Sequence, residues 1–107
     1  MGFINDIDYK VVIGEKAHEV VIQADIENRH NAEAEAREEI SGYLRPKYNV
    51  EAIFSAEGDD RNRLIVMYMC DIALYHMSAS LPGRMNIDLR KERYDNAITW
   101  LKDVQNG

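Results

Sequence analysis

The sequence predicts an all-α protein, a small helical bundle, and three observations carry that prediction. Apolar residues recur at three- and four-residue spacing through the second half of the chain. The run from 28 to 44 is rich in alanine and glutamate, both strong helix formers. The two prolines, Pro46 and Pro82, fall between the periodic segments rather than inside them. With 107 residues and 46% hydrophobic composition, the chain has room for one core, so residues 1–107 are expected to form a single helical domain.

The N-terminal part is the most ambiguous. Ile7, Val11, Val12 and Ile13 before Gly14, then Ala17, Val20, Val21 and Ile22, fit two short helices or a strand hairpin almost equally over residues 1–27. Asn5 or Asp6 as an N-cap and Gly14 as a stop favour two short helices. From about Asn28 the run NRHNAEAEAREEISGYL places Ala32, Ala36, Ile40, Tyr43 and Leu44 on one side. That amphipathic helix is expected to stop at Arg45, because a residue before proline is pushed out of helical geometry. The stretch KYNVEAIFSAEGDD then reads as a loop.

A third segment begins near Asp60, the expected N-cap, and runs through RNRLIVMYMCDIALYHMSAS to Pro82 and Gly83. At 100° per residue its apolar side chains leave no polar face, the pattern of a buried central helix covered on all sides. A domain this small has few helices with which to cover it, so part of its surface is expected in a subunit interface. Met67, Tyr68, Met69, Tyr75 and Met77, with Trp100 from the last helix, are the candidate interface residues, although core packing explains methionines more often. A C-terminal amphipathic helix from Ile87 or Asp88 to Gln105 carries Tyr94, Ala97, Ile98, Leu101 and Val104 on its apolar stripe.

Asp71 stands out chemically, because it sits among Leu64, Met67 and Tyr75 on an otherwise apolar surface. A buried carboxylate must be paired or protonated. Arg90, centred on the apolar stripe of the last helix, and Arg93, beside Trp100, are the expected partners in a structural ion pair. The catalytic alternative needs Asp71 to act as an acid or base with a second group such as His76. His18, His30 and His76 are scattered without metal-ligand spacing, so no metal site is expected. Cys70 lies among apolar neighbours about 120° from His76 on the wheel and reads as an inert core thiol. No phosphate-cradling glycine motif is present, and no cofactor is expected.

The formal charge of -6 disfavours nucleic-acid binding through a basic footprint. Most of it lies in residues 1–54, with six basic and eleven acidic groups. One cysteine, no leader-like start and no long apolar run point to a cytosolic protein without a membrane partner.

Three blocks, REEISGYLRPKY, RNRLIVMYMCDIALYHMSAS and RKERYDNAITWLKDVQNG, come in an order and spacing that resemble the small phage and prophage proteins of the Mu-type Gp36-like family, a domain of unknown function. The resemblance covers residues 28–107 well and FINDIDYKVVIGEKAHEVV more loosely. It implies a helical morphogenesis protein similar in plan to head-to-tail connector proteins, which assemble as rings in the virion neck. Tyr43, Arg45, Tyr48, Asp71, Tyr75, Arg93, Tyr94, Trp100 and Leu101 match the pattern most distinctively and read as scaffold and assembly positions. No catalytic residues follow from it.

The expected function is therefore a non-enzymatic phage or prophage structural protein. Its expected partners are other head and tail proteins and further copies of itself, in the host cytoplasm during assembly and in the virion neck afterwards. An acidic ring lumen would let DNA slide by like-charge repulsion. The rivals are a small cytosolic adaptor that docks a helix on the methionine-rich surface and, further off, a hydrolase using Asp71 and His76.

Overall fold

The computed structural model describes residues 3–14, 26–79 and 87–107. Among them are five α-helices, which we number α1 (Asp6–Ile13), α2 (Ile26–Leu44), α3 (Val50–Ser55), α4 (Arg63–Ala79) and α5 (Ile87–Asn106), with a 3-10 turn at Gly58–Asp60 and no strand. The all-α expectation holds. The second of the two expected N-terminal helices falls on residues 15–25 and lies outside the described residues.

Local chemistry explains each boundary. α1 starts at a capping box: the Asp8 amide donates to Asn5 Oδ1 at 3.0 Å, and the Asn5 amide donates back to Asp8 Oδ2 at 2.9 Å. It stops at Gly14, whose φ of 86° suits a residue without Cβ and whose N–H donates to the Lys10 carbonyl. α2 ends at Leu44, one residue earlier than expected, and the Leu44 carbonyl accepts the N–H of both Lys47 and Tyr48.

Two expectations are corrected here. The segment read as a loop contains α3, capped by Asn49, whose Oδ1 accepts the Ala52 amide at 3.2 Å. Six residues cannot display helical periodicity, but they bury Phe54, which the Phe3 ring meets edge-on at 5.0 Å. The cap of α4 is Asn62 rather than Asp60, accepting the amides of Leu64 and Ile65 on Oδ1. Asp60 belongs to the 3-10 turn that precedes it.

α4 is the hub and packs on α1, α2 and α5, while α2 also meets α5. Ala32, Ala36, Ile40 and Leu44 form one buried ridge on α2, and the two alanines let the helices approach closely. Ile72, Leu74 and Met77 of α4 and Ala97 and Leu101 of α5 are sealed completely. Every residue of α4 from 69 to 74 is buried within this one chain, so the middle of that helix needs no neighbour to cover it. Tyr9 of α1 closes the core, with its hydroxyl donating to Glu33 Oε2 at 2.6 Å.

Candidate functional site

The polar groups that α4 and α5 bring together form two clusters. In the first, Arg93 donates from Nε to Asp71 Oδ1 at 2.7 Å and from Nη2 to Asp71 Oδ2 at 3.3 Å, a two-pronged guanidinium–carboxylate pair. Its Nη2 also reaches the Val12 carbonyl at 3.5 Å, which ties the end of α1 to α5. Asp71 is only 4% exposed, and burial raises its carboxyl above the usual carboxylate range even though Arg93 pulls the other way. Arg90 is also buried and contributes to the field at Asp71, but its Nη1 has no hydrogen-bond partner among the described residues. Burial and the like charge of Arg93 lower the Arg90 pKa.

The second cluster joins three helices. Glu39 of α2 meets His76 Nε2 of α4 at 3.0 Å through Oε1 and accepts the Tyr94 hydroxyl of α5 at 3.1 Å on Oε2. Tyr94 stacks on Tyr75 with ring centres 4.4 Å apart, and His76 stands edge-on to both rings. Burial and the adjacent Glu39 carboxylate push the Tyr94 hydroxyl up to about 12, so it stays a donor near neutral pH. A groove of about 490 Å³ opens beside it, lined by Glu39, Tyr43, Tyr94, Asp95, Ile98, Thr99 and Lys102.

The residues singled out from the sequence divide accordingly. Asp71 and Arg93 are bonded, and Arg90 lies in the field of both, with its Nη1 unpartnered among the described residues. Tyr68 and Trp100, both half-buried, stack at 4.9 Å. Tyr75 stacks on Tyr94, and Met67 is half-buried. Met69 and Met77 are buried inside the chain and offer it no surface. His76 is bound to Glu39 and Asp71 to Arg93, so those two residues belong to different clusters. Cys70 is completely buried, and desolvation raises its thiol pKa strongly.

The most exposed apolar side chains include several that the sequence reading did not single out. Ile7 and Val11, one turn apart on α1, are 71% and 70% exposed, with Ile26 on α2 and Leu64 at the start of α4 nearby. Grooves of about 510 and 450 Å³ flank this ridge, both lined in part by Ile7. The signal was present in the sequence, because Ile7 and Val11 sit opposite the buried Tyr9 on the α1 wheel.

Among the described residues, no group of three or more His, Cys, Asp and Glu could hold a metal ion, and no helix is long and apolar enough to cross a membrane. No curated protein and no solved structure matches the chain. A family model does, described as Bacteriophage Mu, Gp36, and it matches residues 8–107. That span takes in four helices whole, six of the eight residues of α1, and both polar clusters, and the chain belongs to the Bacteriophage Mu, Gp36 family.

Proposed function

We propose that this phage-family protein is a non-enzymatic morphogenesis component, a neck or head-to-tail connector subunit that works by protein–protein assembly. The observation that carries the reading is the ridge of Ile7 and Val11 with apolar grooves on either side. Exposed apolar side chains gathered in one place mark contact surfaces, and an i, i+4 ridge beside a groove is the geometry in which helices interlock. A ring of copies, joined to other head and tail proteins, uses such a surface. The net charge of -6 suits a subunit that lines a DNA path without gripping it.

The separation of Asp71 and His76 into different clusters removes the motive for a hydrolase built on that pair. The burial of Met69 and Met77 likewise weakens an adaptor reading based on a methionine surface. Co-purification with portal and tail proteins, combined with light scattering and negative-stain imaging, tests the proposal. Retention by those components and ring-like particles are expected, and both should be lost in the Ile7→Asp, Val11→Asp double variant. A wild-type chain that stays monomeric and is retained by no head or tail component refutes it.

A further inference from the structure

The groove between α2 and α5 brings an acidic side chain and two tyrosines together. Glu39 is held at its edge by two donors, one to each carboxylate oxygen. Neither donor is a permanent cation: one is a phenol and the other an imidazole. Among the described residues, no Lys or Arg lies within ion-pair distance of Glu39. A carboxylate offers about four acceptor positions, so roughly two remain after these bonds. Tyr43 and Tyr94 line the same groove, and the Tyr94 hydroxyl sits 3.1 Å from Glu39 Oε2. Asp95 is occupied by Lys91, with Nζ to Oδ2 at 3.1 Å, whereas among the described residues Glu39 has no Lys or Arg in ion-pair contact.

We propose that this groove is a receptor for an arginine side chain presented by a partner protein. A guanidinium is flat, permanently charged and weakly hydrated, so it can lie against a tyrosine ring while donating to a carboxylate and a phenol oxygen. Lysine offers a point charge and lacks the planar face. The volume of about 490 Å³ is ample for such a side chain and within the range of small-ligand sites, roughly 300 to 1,000 Å³. Lys102, on the rim, sets the limit on affinity, because its charge has the same sign as the incoming group. The proposal rests on the reading that the chain works through protein contacts, and it uses a surface separate from the α1 ridge.

The test is an NMR titration of the full chain with arginine amide, lysine amide and citrulline amide at constant ionic strength. Arginine amide is expected to shift the backbone amides of Tyr43, Ile98 and Thr99 saturably. Lysine amide should bind about fivefold more weakly, and citrulline amide, which keeps the shape but not the charge, should give no such shifts. Glu39→Gln should weaken arginine amide binding about fivefold, and Lys102→Ala, an exposed change that leaves the fold alone, should tighten it about twofold. Equal shifts from citrulline amide, or a Lys102→Ala variant that binds no more tightly, overturn the proposal. An arginine response that survives in the Ile7→Asp, Val11→Asp variant shows that the groove and the assembly surface stand or fall separately.

Discussion

Two ion pairs start from α5 residues only two apart in sequence and face opposite ways. Arg93 turns inward to Asp71, which is 4% exposed, while Lys91 turns outward to Asp95, where both side chains are more than half exposed. Their bond lengths are similar, 2.7 and 3.1 Å, but their surroundings are not. Water solvates Lys91 and Asp95 about as well apart as together, so their bond adds little. Asp71 and Arg93 have given up much of their hydration and depend on each other. Burial, not distance, decides what an ion pair does.

The largest test of that contrast is Asp71→Ala. It leaves Arg93 and the buried Arg90 facing a methyl group, and should cost about 3 kcal/mol in chemical denaturation, the low end for a broken buried pair because Arg93 is about one-third exposed. Arg90→Met should go the other way. It removes a buried cation whose Nη1 has no partner among the described residues and which repels Arg93, and a gain of about 1 kcal/mol is expected. A loss as large as that of Asp71→Ala would mean that Arg90, not Arg93, is the working partner.

A subtler effect comes from pH. The Asp71 carboxyl is raised in the folded chain, so the folded state holds this proton to higher pH than the unfolded state does. Its contribution to stability is therefore fully present below the unfolded carboxylate pKa of about 3.9 and declines as pH rises through the folded value. Compared with Asp71→Asn, in which all other groups cancel, the wild type should gain stability as pH falls from about 7 to about 4. A difference that stays flat would show that Arg93 fully offsets the burial. Smallest of all is Lys91→Ala, which should leave the denaturation midpoint unchanged within error.

The same contrast between local and distant determinants explains how far the sequence could be read. α2, α4 and α5 are long enough for periodicity to declare them, and Asp71 declared its need for a cation by sitting among Leu64, Met67 and Tyr75. α3 was hidden because Val50, Ile53 and Phe54 span barely more than one turn. The choice between Asp60 and Asn62 as cap of α4 depended on a 3-10 turn that has no periodic signature. Glu39, His76 and Tyr94 come from three helices and are 37 and 18 residues apart, so only the packing of α2, α4 and α5 brings them together. The wheel of α4 did reveal an unusually apolar helix, but a wheel does not say that α1, α2 and α5 suffice to cover residues 69 to 74. Much of the apolar surface left over is on α1, whose eight residues bury Tyr9 and turn Ile7 and Val11 outward.

Cys70 gives the molecule a clock. Its sulfur is sealed at the crossing of the central helix and its ionisation is suppressed, so a thiol reagent cannot modify it while the core stays closed. Modification must wait for the chain to open, and with reagent in excess its rate becomes the opening rate itself. One native atom thus reports how long a subunit stays folded between synthesis and use, with no label to disturb the packing around it.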